Sequence, residues 1–338
     1  MRSLPSTAGA SEGAASPRPS AAGAGAAVES EPSGGAAARR RPPAGLVFGF
    51  LGVLSFSFTL PFTRVAVGSL DPLFVGAGRA VVAAVLSIIV LLIIRPRLPR
   101  GRQWLRLCVV AAGVVAGFPL LTSFAMQTAP AAHGAVVIGI LPAATAIVAV
   151  LRGGERPSRA FWVASIAGLA AVVAFVAVSG GGLNGLHPSD FLLLAAVALA
   201  AIGYAEGALL ARELGSWQII CWALVIGLPV MAPLAIIGAS HGPLSGSAES
   251  WLAFAYVSVI SQFLGFFVWY RGLAIGPISR VSQVQLLQPV LTIVWAALLF
   301  GEHLDWLVIV AAGVVVACAA FAVRARIVNP VARPKPSA

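Results

Sequence analysis

Ten apolar runs of about 20 residues follow one another along this chain, at roughly 45–65, 72–94, 103–125, 129–151, 159–179, 189–211, 217–239, 250–272, 277–299 and 305–325. Each is long enough to cross a hydrocarbon core of ~30 Å at ~1.5 Å per helical residue. The runs are continuous and do not alternate, which specifies helices rather than a barrel. Numbered one to ten in chain order, they predict an all-α polytopic membrane protein with ten transmembrane helices. Composition agrees, because 59% hydrophobic and 10% charged residues leave too little polar surface to cover a soluble chain of 338 residues.

A net charge of +11 could suit nucleic acid, but the charges sit between apolar runs and form no folded basic face. No nucleic-acid partner is expected. With the N-terminus inside, 20 of the 22 Lys and Arg fall in tails, cytoplasmic connections or cytoplasmic helix ends. Arg64 lies towards the outer face and Arg79 lies inside run two. The charge rule therefore predicts both termini cytoplasmic in a plasma (inner) membrane protein. Residues 1–44 are rich in Ala, Gly, Ser and Pro and read as a disordered cytoplasmic tail, with 326–338 as a short basic one. No short apolar signal segment precedes run one, so that run is expected to stay in the protein. Cys108, Cys221 and Cys318 lie in three different runs and read as small core residues. Neither a metal nor a cofactor is implied.

The chain also repeats itself. Pro130, Pro142 and Glu155 recur 147 positions later as Pro277, Pro289 and Glu302, and Ser158 falls on Asp305. Five runs per half is an odd number, so the two copies, 45–179 and 189–325, would cross the membrane in opposite directions. Such inverted repeats support two access states around one midplane site. Ser158, Asp190 and Asp305 stand at expected helix starts and are candidate N-caps. Glu155 and Glu302, three residues ahead of such starts, are candidate anchors for a helix N-terminus.

Several residues could carry chemistry. Pro142 and Pro289 free the carbonyls of Ile138 and Gln285 and permit kinks at matched depths. Ser282, Gln285, Gln288 and Thr292 share one face of run nine, with Gln283 beside them. They would contact a substrate or bond neighbouring helices; Tyr204 in run six joins them as a path residue. The matching face of run four holds only Ala135, Ile138 and Leu141. Arg79 is a candidate anion contact, or a side chain that snorkels to the interface. Glu206 is the first candidate for proton coupling, with pairing to Arg212 as the alternative, and His133 is the second. Arg271 reads as a topology anchor. Gly45/Gly49, Gly113/Gly117 and Gly203/Gly207 suit close helix contacts, either within the chain or in a homodimer. Gly238-Ala239-Ser240-His241-Gly242 matches a hydrolase nucleophile pattern but lacks the strand, turn and helix that would make it one.

The Pro-x11-Pro-x12-Glu pattern, in Thr128-Ala129-Pro130 through Leu141-Pro142 to Gly154-Glu155 and again in Ile275-Gly276-Pro277 through Gln288-Pro289 to Gly301-Glu302, resembles the drug/metabolite transporter superfamily, specifically its EamA-domain members. Asp71-Pro72 and Gly78-Arg79 resemble the family's start of the second helix. The likeness spans about residues 45–325. It implies a secondary carrier, commonly an exporter of amino acids or other small metabolites, with runs four and nine lining the central path. Proton coupling or uniport is expected of it, with a small-molecule substrate, the lipid bilayer around it, and a monomeric or homodimeric state. The other classes are an intramembrane enzyme on lipid or isoprenoid substrates, which would need clustered Asp, His or Ser, and a non-transporting scaffold.

Overall fold

Backbone groups inside hydrocarbon have no water to bond, so an apolar run must satisfy its own N–H and C=O groups and does so as a helix. The computed structural model describes residues 44–153, 158–179, 187–242, 244–275 and 284–328. Among these residues every regular element is helical, and a helix falls on each of the ten runs. Seven helices are long and apolar enough to cross a bilayer: Ala44–Val67, Pro72–Ile94, Arg102–Ala125, Ala131–Arg152, Pro188–Ala211, Ser216–Ser240 and Ala248–Gly272. In runs five, nine and ten the apolar helices Arg159–Phe175, Val284–Leu299 and Trp306–Ala322 are shorter. Glu155, Pro277, Ser282 and Gln283 lie outside the described residues, as do residues 1–43 and 329–338.

The helices are interrupted where the sequence places its prolines. Run four is a helix over Ala131–Ile138, a turn at Gly139 and Ile140, and a second helix over Leu141–Gly153. Pro142 is the second residue of that second helix, where its missing N–H disrupts least. Run nine repeats the device, with a 3₁₀ turn over Val284–Leu287 followed by a helix over Gln288–Phe300 that carries Pro289 second. Gln288 stands 147 positions after Leu141, so both restarts occupy one place in the repeat. The expectation of kinks is thereby sharpened: each proline stands second in an α-helix, after a two-residue turn in run four and after a 3₁₀ turn in run nine.

Two wide π-helical stretches obey the same spacing. They occupy Ala111–Gly117 in run three and Tyr256–Leu264 in run eight, and Leu264 is 147 positions after Gly117. Run one adds a break at Phe58, between Ala44–Ser57 and Thr59–Val67, just ahead of Pro61. Run six, its counterpart in the second half, continues unbroken over Pro188–Leu214.

Packing follows the repeat as well. Run two lies against run seven, run four against run nine and run five against run ten, while run one packs on run eight and run three on run six. Exchanging the halves maps the first three pairs onto themselves and the last two onto each other. Small residues bring these helices together. A Cβ on Gly113 would lie 2.4 Å from the Leu199 carbonyl and 3.1 Å from the Gly203 Cα, and one on Gly272 would lie 2.6 Å from the Gly49 nitrogen. The glycine pairs of runs one, three and six thus face helices of the same chain.

Helix ends depart from the sequence reading in two places. Ser158 caps as expected, accepting from the Phe161 N–H at 3.2 Å. Asp190 instead lies one turn inside its helix, after the cap residue His187, and its Oδ2 accepts from the His187 N–H at 3.0 Å. Glu302 does not serve the helix that follows it. Its two carboxylate oxygens accept the N–H groups of Ala131 and Ala132, each at 2.9 Å, at the start of run four. Pro130 holds that helix end open, and a carboxylate there offsets the positive helix N-terminus.

Candidate functional site

Runs one, two, three, four, six, eight and nine meet around two small adjoining cavities. One, about 10 Å³, is lined by Leu60, Ala135, Ile138, Leu141, Pro142, Gln285, Gln288, Pro289 and Thr292. The other, about 20 Å³, shares Leu60, Ile138, Leu141 and Gln288 with it and adds Arg79, Tyr204 and Gln262 among aromatic side chains. Each has room for about one water. The two helix restarts therefore converge on one spot, and Gln288 reaches both cavities.

The predicted polar face of run nine divides into different uses. Thr292 donates to the Ser57 carbonyl at 2.7 Å, and Trp295 donates from Nε1 to the Ser57 hydroxyl at 3.0 Å. These bonds tie run nine to the break in run one and satisfy a carbonyl there. Gln285 is 5% exposed and its Nε2 has no partner among the described residues. Gln288 lines both cavities beside it.

Arg79 is 1% exposed and faces the larger cavity. Its Nη2 donates to the Ser261 hydroxyl at 3.2 Å, and that hydroxyl is 2.7 Å from the Thr59 hydroxyl. Its Nε and Nη1 have no partner among the described residues. Burial rules out the interfacial snorkel. Gln262, next to Ser261, donates to the Val114 carbonyl at 3.3 Å, which joins the two π-helical stretches across the cavity. Widened helical turns re-aim side chains and recur at functional sites.

Polar clusters stand at both ends of run four. At its Arg152 end, Glu206 is 2% exposed and accepts from Arg152 Nη2 at 2.6 Å and Nε at 3.1 Å, and also from Arg106 Nε. Arg106 continues to Glu213, which accepts from Gln103 Nε2 at 3.1 Å. The partners of Glu206 thus come from runs three and four, while the side chain of Arg212 is outside the described set. A carboxylate held by two guanidinium groups is an ion-pair latch.

At the Ala131 end, Arg64 donates from Nη1 to the carbonyls of Met126 (3.2 Å) and Ala129, and its Nε stands 3.7 Å from Glu302. His133 Nε2 is 2.7 Å from Asp190 Oδ1. These groups line a recess of about 440 Å³ that also takes in His187, His303 and Asp305.

The hydrolase-like pattern finds no support in geometry. The Ser240 hydroxyl donates to the Ile237 carbonyl at 2.7 Å, and His241 turns instead to Asp71 at 3.0 Å. The polar residues missed in the sequence are Thr59, Ser261 and Gln262 at the cavity and Arg106 and Arg152 at the latch. A signal for the first group existed, since Ser258, Ser261 and Gln262 interrupt the apolar run eight at helical spacing. None existed for the latch, whose members lie 54 and 100 positions from Glu206.

Known proteins match this arrangement along most of its length. A transporter of Bacillus subtilis (strain 168), named as the uncharacterized transporter YdeK, is 46% identical over 280 residues, 83% of this chain and 97% of the relative. A probable terminal-alkyne amino-acid exporter of Streptantibioticus cattleyicolor is 26% identical over 248 residues, 72% of this chain and 82% of its own. One crystal structure shares the fold with a TM-score of 0.58 at 18% identity, over 83% of this chain and 99% of that one. The EamA-like transporter family matches residues 43–177 and 187–324. With both stretches matched and a relative this similar along nearly its whole length, the chain is a multi-pass membrane protein and belongs to the EamA-like transporter family.

Proposed function

We propose that this protein is a secondary transporter of the plasma (inner) membrane that exports amino acids or other small metabolites by alternating access. Its ten runs cross as two inverted five-helix repeats, 45–179 and 189–325, with both termini in the cytoplasm. One observation carries this reading: the restarts at Leu141 and Gln288, one repeat offset apart, meet on the same cavity. Broken helices at the interface of inverted repeats suit a midplane site reached from one side at a time. The pairing of runs, which exchange of the halves leaves unchanged, supports it further.

In this orientation the Arg106–Glu206–Arg152 cluster is a latch at the cytoplasmic end, and the recess beside Glu302 opens outward. The two arginines make Glu206 the fixed acceptor of the latch, which leaves His133, with Asp190, as the residue for proton coupling. Gln285, Gln288 and Tyr204 line the path.

Purified protein in liposomes, loaded with a labelled mixture of amino acids, organic acids and amines, tests the reading. Gradient-driven efflux of a chemically restricted subset is expected. Correctly folded protein that moves none of them would sink the proposal.

A further inference from the structure

We propose that the cavity at Arg79 takes a small organic monocarboxylate with an apolar body, and that Arg79 holds the carboxylate. This deepens the reading above, since it assigns the substrate class of the same path. A guanidinium withdrawn from water needs a carboxylate or a full set of acceptors. Arg79 has one hydroxyl acceptor, from Ser261, and its Nε and Nη1 are unpartnered among the described residues. No described Asp or Glu lines the cavity or pairs with Arg79. A buried cation with no acid partner among the described residues, aimed into a cavity on a transport path, is poised for an anion, and a planar guanidinium matches the two oxygens of a carboxylate.

The remaining wall sets what the anion carries. Phe56, Phe118 and Phe266 give the cavity an aromatic wall, while its polar members besides Arg79, namely Thr59, Tyr204, Ser261, Gln262 and Gln288, are all neutral. An α-ammonium group brought in with the carboxylate would meet Arg79 and find no acid to offset it. The order of preference is therefore simple carboxylate, then zwitterionic amino acid, then amide. The water-sized room now present means that the ligand enters as the breaks of runs four and nine part.

The test uses the full-length protein in lipid nanodiscs with three probes of one body: 3-phenylpropanoate, L-phenylalanine and 3-phenylpropanamide. Binding is read by calorimetry, without any need for flux. The acid is expected to bind about tenfold or more tighter than the amide, with the amino acid between them. Arg79→Gln should reduce that ratio to within about twofold of unity, and Arg79→Lys should keep part of it, as a point charge without the planar fork. The unliganded Arg79→Met protein should melt at a higher temperature than wild type, because it no longer buries an unsatisfied charge. A purely structural arginine would give the opposite shift. Equal binding of acid and amide, discrimination that survives Arg79→Gln, or no binding of any probe would overturn the proposal. The wild-type comparison stands even if a variant fails to fold. Carboxylate-selective binding without flux would leave the proposal standing and sink the transport reading instead; selective flux of amines would do the reverse.

Discussion

Glu206 shows how a single side chain can be visible in a sequence while its work is not. A carboxylate in an apolar run announces a function, because burying an unpaired charge is costly. Its two arginine partners come from runs three and four, and no local pattern joins positions so far apart. Replacing Glu206 by Gln should weaken this latch by roughly 1.5–3 kcal/mol, the usual worth of hydrogen bonds to a charged group. In a background without native cysteines, an Ile138→Cys reporter should then react with a membrane-impermeant thiol reagent about tenfold faster or more from the face at which Arg152 stands. An unchanged rate would remove Glu206 from the latch. Glu302 offers a milder case, since its role as a helix-end anchor was legible but the helix it serves was not. The sequence placed it beside its own helix, whereas the fold brings it to Ala131 and Ala132, about 170 positions away. Glu302→Ala should cost about 1–2 kcal/mol, as other lost N-caps do, and lower the melting temperature.

At the scale of elements, prolines and glycines were readable because their effect is local. Pro142 and Pro289 lack the N–H that a continuous helix needs, so the breaks follow from the residues themselves. The π-helical stretches were not readable, because nothing in Ala111–Gly117 forbids an ordinary helix; the wider turn lies where run three packs against runs six and seven. Close helix approach was readable as glycine spacing, but which helix would approach was not. Gly113→Ala should cost about 1–3 kcal/mol through overpacking, since its Cβ would strike the backbone of run six. Gly313→Ala is the matched control. Among the described residues, no atom outside its own helix lies within 4 Å of a Cβ built there, and the change should stabilise by about 0.5–1 kcal/mol. Thermal unfolding of the two purified variants gives both numbers. A milder effect at Gly113 than at Gly313 would contradict the packing described for runs three and six.

At the scale of the whole molecule, the family and the multi-pass membrane character were legible. Run lengths, arginine placement and the 147-position echo each bear on the membrane, and they agree with one another. The echo also survives folding, in restarts and π stretches that keep the same offset. What the echo could not convey is where the halves stop being equivalent. Arg79 corresponds to Ile226 and Glu206 to Thr59, so among the described residues the cavity has one cation and this latch stands only at the Arg152 end of run four. Symmetry of scaffold with asymmetry of charge suits a carrier with two access states of unequal stability. Accessibility of Gln288→Cys, in a protein stripped of its native cysteines, tests that claim most directly. An impermeant thiol reagent should label it from the outer face in right-side-out vesicles and from the cytoplasmic face in inverted ones, with a bound carboxylate protecting it from both. Labelling from one face only would contradict alternating access at this cavity.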